Sequence, residues 1–130
     1  MLVTLLAGLF VEGAATRAPE GLRFDGVYES GFEISAFTPC NGEGVRFWVA
    51  PGPLSPKLDA DIKRRMEQGG VARGVLRYRV TLVGLLSEPG RWGHLGMYAR
   101  ELTVTKVENF RAVSPEDLSS EINHCAGREQ

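Results

Sequence analysis

Residues 22–38 read LRFDGVYESGFEISAFT, and their alternation decides the fold class. Even positions Leu22, Phe24, Tyr28, Phe32, Ile34 and Ala36 are mostly apolar, while Arg23, Asp25, Glu29, Glu33 and Ser35 opposite them are polar. A period of two with one apolar side is the pattern of strand with one face buried. The parity continues through Ser30-Gly31, which a two-residue hairpin would invert. The pattern therefore predicts either one strand bent at Gly31 or a hairpin with a three-residue loop.

Working outward, PCNGEG (Pro39–Gly44) has turn composition and VRFWVA (Val45–Ala50) reads as a short strand. A helix from about Ser55 to Gln68 follows, with Ser55 as cap, Pro56 at the first helical position, Asp59 and Asp61 early, Lys63, Arg64 and Arg65 late, and Gly69 closing it. Leu54, Leu58, Ile62 and Met66 recur every four residues, so Leu58, Ile62 and Met66 are expected to face the sheet. From Leu76 to Leu86 the alternation returns, with Leu76, Tyr78, Val80 and Leu82 on one side and Arg77, Arg79 and Thr81 on the other. Those arginines are placed to pair with Glu29 and Glu33, each pair contributing at most about 1 kcal/mol. In the last strand, from Arg100 to about Phe110, Leu102 and Val104 share a face and Val107 breaks parity, which a bulge near Thr105-Lys106 repairs. A helix between the third and fourth strands of a small barrel is the order of the OB-fold, so the expected class is all-β, an OB-like barrel of about five strands.

At 130 residues, with sixteen glycines and seven prolines, the chain suits one strand-rich domain. Its net charge of −1 lacks the basic excess that neutralises many phosphates, which disfavours nucleic acid as a partner. Leu2 to Val11 is an apolar run followed by Gly13, Ala14 and Ala15, the pattern of a secretory signal whose basic region would lie upstream of Met1. The competing reading is an apolar segment packed on the domain. Cys40 and Cys125 make an even count, and one disulfide is the economical reading for an exported chain, against two unrelated thiols. The expected organisation is an export signal or disordered segment at 1–20, the barrel at 21–113, and a tail at 114–130 whose SPEDLSSEI start forms a short capped turn before fraying, tethered through Cys125. Location is accordingly periplasmic or secreted, or cytoplasmic if the apolar run is not a signal, with no transmembrane span in the mature chain.

Three segments, GVYESGFEISAFTPC (Gly26–Cys40), the RFWV strand and GLLSEPGRWGHLGMYARELTVTKV (Gly84–Val107), resemble a family of small exported bacterial proteins of unassigned function. The shared pattern is G-x-Y-x-x-G-F-E-x-S-x-F-x-P-C followed by G-x-Y-G-H-x-G-x-Y-x-R-E-x-x-V-T-x-V, with Trp92 here at a position where the family pattern has Tyr. The resemblance implies an exported barrel-like domain and supplies no activity.

The motif census leans against an enzyme. There is no G-x-S-x-G, H-E-x-x-H, phosphate-cradling G-x-x-x-x-G-K-[ST] or C-x-x-C. Cys40, His94, His124 and Cys125 form a zinc set on paper only, because their spacing matches no compact zinc module, and no metal or other cofactor is assigned. The glycine-rich loop places Trp92, His94, Tyr98 and Arg100 together as a candidate ligand-binding cluster. The same residues equally suit a loop whose His94 and Tyr98 hold its shape. The reading is thus an exported binding or envelope-maintenance module taking a small molecule or an envelope protein. One alternative is a small hydrolase or metal-dependent enzyme using His94 with Glu33 or Glu101. Another is a single-stranded nucleic-acid binder using Phe47, Trp48 and nearby arginines.

Overall fold

The computed structural model describes residues 21–40, 44–69 and 74–127, so the apolar run and the rest of 1–20 lie outside the described residues. Five strands, β1 (Leu22–Gly31), β2 (Ile34–Pro39), β3 (Phe47–Val49), β4 (Val75–Leu86) and β5 (Glu101–Val113), close into a barrel in the order β1-β2-β3-β5-β4. Neighbours are antiparallel except β3 and β5, whose parallel contact closes the barrel through Trp48 N–H to Arg100 O (3.0 Å) and Ala50 N–H to Leu102 O (2.9 Å). Helix α1 (Pro56–Glu67) lies between β3 and β4, giving the OB-like architecture that the element order predicts.

The 22–38 stretch resolves as neither expected form. Gly31 pairs with Ile34, so the loop is the two residues Phe32-Glu33, and the side-chain parity inverts across it. Tyr28 faces Phe37 inside the barrel, while Ala36 lies opposite Glu29 on the outer face. Phe32, expected inside, is 86% exposed at the hairpin tip. The polar-apolar alternation misled because Ala36 and Phe37 are both apolar and both fully buried, one under outer-face side chains and one in the core.

β4 follows its alternation, with Leu76, Tyr78, Val80 and Leu82 buried. Opposite it, β5 keeps Leu102, Val104, Val107, Phe110 and Ala112 in register with the inward positions of β4 by skipping Thr105 and Glu108. The first irregularity is the bulge expected near Thr105-Lys106, and the second lets Phe110 follow Val107 inward.

α1 plugs one end of the barrel. Ser55 accepts from Leu58 N–H at 3.2 Å, Pro56 occupies the first turn, and Gly69 (φ 64°) lies just beyond the helix end. Leu58 is buried and Ile62 packs on the core, but Met66 is 46% exposed, contrary to the expected stripe. Four-residue spacing drifts around a 3.6-residue helix, so the third member of the stripe turns off the barrel axis. Asp61, placed near the N-terminus by its charge, instead accepts from the hydroxyl of fully buried Tyr78 at 2.8 Å and from Arg64 and Arg65.

Beyond β5, a 3-10 turn at Pro115–Asp117 leads into α2 (Leu118–Gly127). This replaces the expected short, fraying turn. The helix persists because Cys125 is disulfide-bonded to Cys40 with Cα atoms 4.7 Å apart, and because Arg111 of β5 pairs with Glu121.

Candidate functional site

The β4–β5 connection, residues 87–100, is a short hairpin of its own. Ser87 N–H donates to Glu101 O and Gly90 N–H to Ala99 O, both at 2.8 Å, and Trp92 and Tyr98 exchange backbone bonds of 2.9 and 3.2 Å. A 3-10 turn at His94–Gly96 forms its tip. The hairpin folds across the outer face of β3. Gly93 (φ 70°) presses on the indole of Trp48 so closely that a Cβ there would sit 2.3 Å from the ring. The Tyr98 ring lies 5.4 Å from that of Trp48 at 53°, and the Arg46 guanidinium lies 5.9 Å over Tyr98.

Each residue of the expected cluster has a definite place here. Trp92 Nε1–H donates to Glu88 O at 3.1 Å and Arg100 Nη1–H to Ser87 O at 3.0 Å, so both polar groups serve the loop's own backbone. Tyr98 covers Trp48. His94 reaches the β1–β2 tip, with Nε2 3.5 Å from Oε2 of Glu33. The carboxylate facing His94 is thus Glu33, and Glu101 is engaged through its backbone N–H with the Ser87 hydroxyl at 2.7 Å. Of the two acids expected to pair with the arginines of β4, Glu29 does so, with Arg77 Nε at 3.3 Å, whereas Glu33 does not, and Arg79 Nη2 lies 2.7 Å from Asp25.

Sequence reasoning passed over Leu95 and Met97, and took Trp48 only together with Phe47 and nearby arginines as a nucleic-acid platform. Phe47 points into the core, edge-on to Phe24 at 6.1 Å, and only Trp48 faces outward. Period-two parity through Arg46, Phe47 and Trp48 holds the signal for this. On the outer face Glu29 takes Arg46 at 3.0 Å as well as Arg77, so one carboxylate is shared by two guanidiniums.

On the other side of the barrel, a cavity of about 460 Å³ lies between α2 and the outer face of β1, β4 and β5, lined by Asp25, Arg79, Arg111, Glu121 and Cys125 among others. Among the described residues no three His, Cys, Asp or Glu side chains converge as a metal site, and no helix is long and apolar enough to cross a membrane. The sulfurs of Cys40 and Cys125 are bonded to one another, and the side chain of His124 lies outside the described residues.

Fold and site together define an OB-like barrel whose β4–β5 hairpin covers its β3 face and meets the β1–β2 turn at its tip. Comparison with protein-family models, with curated proteins and with solved structures finds no match.

Proposed function

We propose that this chain is an exported binding module of the cell envelope, and that its recognition surface is the joined pair of loop tips, Phe32-Glu33 and His94–Met97. The observation that carries the reading is the coincidence of exposure and backbone strain at those tips. Phe32, Leu95 and Met97 are 86%, 80% and 77% exposed, the highest values among the large apolar side chains described. Glu33 (φ 57°) and Leu95 (φ 56°) are also the two non-glycine residues with left-handed backbone among the described residues. Such a conformation costs an L-residue on the order of 1–2 kcal/mol that glycine would avoid, so retaining side chains there favours presentation over stability. Beneath the tips, Trp48, Tyr98 and Arg46 form a packed base that keeps the presented residues in place. Export is supported by the Cys40–Cys125 disulfide and by the resemblance of Gly26–Cys40 and Gly84–Val107 to small exported bacterial proteins.

The test is site-specific photo-cross-linking in the bacterial envelope from positions 32, 95 and 97, with position 63 on α1 as control. The expected result is one discrete adduct shared by the three tip positions and missing from the control. Adducts that form equally from α1, or none from the tips, would overturn the reading.

The His94–Glu33 contact also supports a second reading, a small hydrolase or metal-dependent enzyme with His94 as its base. A pH-dependent activity abolished by His94→Ala in a folded protein would establish it in place of the first. Single-stranded nucleic acid is the weakest reading, because Arg46 and Arg77 are engaged by Glu29, Arg79 by Asp25, and the net charge is −1.

A further inference from the structure

We propose that Cys40–Cys125 is a thiol–disulfide exchange site for a dithiol reductant, with Arg79 stabilising the departing thiolate and α2 released from the barrel by reduction. Arg79 stands on the outer face of β4 with its side chain only 12% exposed. Its Nη1 lies 2.7 Å from the sulfur of Cys125 and 3.0 Å from that of Cys40, while Nη2 bonds Asp25 at 2.7 Å. A guanidinium gains little from a neutral disulfide and much from a thiolate, so this placement favours the reduced state and the path to it. Asp25, itself bonded by the Thr81 hydroxyl at 3.1 Å, opposes the effect by drawing part of the Arg79 charge. Among the described residues, Arg111, Asp117 and Glu121 are the other charged groups lining the cavity, and Arg111 is paired with Glu121.

The two sulfurs are not equivalent. Cys125 is 4% exposed and Cys40 is half-buried, so an incoming thiolate has its approach at Cys40. That attack forms a bond between the reductant's sulfur and Cys40 Sγ and breaks the Cys40–Cys125 bond. The electron pair leaves on Cys125 Sγ, the sulfur closer to Arg79, where the guanidinium offsets the negative charge that develops on the departing sulfur. The reductant's second thiol then attacks its own sulfur in the mixed disulfide and expels Cys40 as a thiolate. The dithiol ends as a disulfide, oxidised by two electrons, and its two protons pass to the two cysteines. Reduction removes the covalent tie of α2, whose Arg111–Glu121 pair and contacts with β1 remain, beside a cavity lined by α2 and the outer face of the sheet.

The experiment equilibrates the full oxidised chain with graded ratios of reduced and oxidised dithiothreitol and counts alkylated thiols by mass. Arg79→Leu is expected to require about tenfold more reducing conditions than the wild type, about 30 mV for a two-electron couple. Asp25→Asn is expected to shift the other way, because the Asp25 carboxylate then no longer draws the Arg79 charge from the sulfurs, and Arg79→Lys should stay near the wild type. Both Arg79→Leu and Asp25→Asn break the same ion pair, so simple destabilisation would move them together. Superimposed titrations, or two shifts of the same sign, would overturn the assignment of Arg79. Hydrogen exchange of residues 118–127 should accelerate on reduction while β4 stays protected, and unchanged protection of the helix would overturn its release.

Discussion

Gly93 is the residue on which the β4–β5 hairpin turns, because its positive φ and its missing side chain are both required by contact with Trp48. Gly93→Ala should destabilise by about 1–3 kcal/mol and alter tryptophan fluorescence as the hairpin lifts from the indole, which chemical denaturation with fluorescence detection will measure. His94→Ala is a different case. Its partner Glu33 is 54% exposed and His94 itself 38%, and pairs so open to water contribute at most about 1 kcal/mol, so melting should barely change. The loop's shape thus rests on Gly93 and Tyr98, which the sequence did not separate from His94 since all lie in one glycine-rich run. Asp61 gives a pH signature. Its hydrogen bond from Arg64 holds the carboxyl below the usual carboxylate range, against partial burial and with help from the Tyr78 hydroxyl, whose own ionisation burial and Asp61 push up. A lowered carboxylate pKa adds stability above the unfolded value of about 3.9 and loses it as pH falls through the folded value. The stability difference between wild type and Asp61→Asn should therefore be full near neutrality and shrink below about pH 4, as denaturant melts across pH will reveal.

At the scale of elements, α1 was legible down to its cap, because Ser55, Pro56 and Gly69 act locally and need no knowledge of the barrel. Its buried face was legible only in part. Leu58 is 1% exposed and Met66 46%, so Leu58→Ala should cost about 2–5 kcal/mol while Met66→Ala stays within about 0.5 kcal/mol, a contrast that equilibrium unfolding will test directly. The β1–β2 hairpin shows where pattern reading stops. Two adjacent apolar residues, Ala36 and Phe37, are buried on opposite faces, and one of those faces is buried only by neighbours distant in sequence. A parity rule that assumes one wet face places such a strand on the wrong register. β5 was better served, because Val107 broke parity on the solvent side of a strand whose inward positions were otherwise plain, and the Thr105 bulge followed. The hairpin over β3 left no such mark, since its contacts with Trp48 and Glu33 join positions tens of residues apart.

Across the whole molecule, β3 contributes only three residues, and the barrel closes through their short parallel contact with β5. A seam that short has few ladder bonds, so its neighbours must help to hold the sheet closed. The disulfide does this from outside by tying the end of β2 to α2, which follows β5, and its ends are 85 residues apart in sequence. Cross-linking over that distance removes chain entropy from the unfolded state worth about 4–5 kcal/mol in the loop-closure treatment. Replacing both cysteines, Cys40→Ser with Cys125→Ser, should lower the unfolding free energy by about 3–5 kcal/mol and reduce the melting temperature accordingly. The barrel core should survive, because its largest fully buried side chains, Tyr78, Phe37, Leu58 and Leu102, all belong to β1–β5 and α1. Near-ultraviolet circular dichroism, which reports the packed aromatic rings, should therefore persist at low temperature while the denaturant midpoint falls. Loss of that signal in the double variant before any denaturant is added would mean that α2 and its covalent link are part of the core and not an external brace.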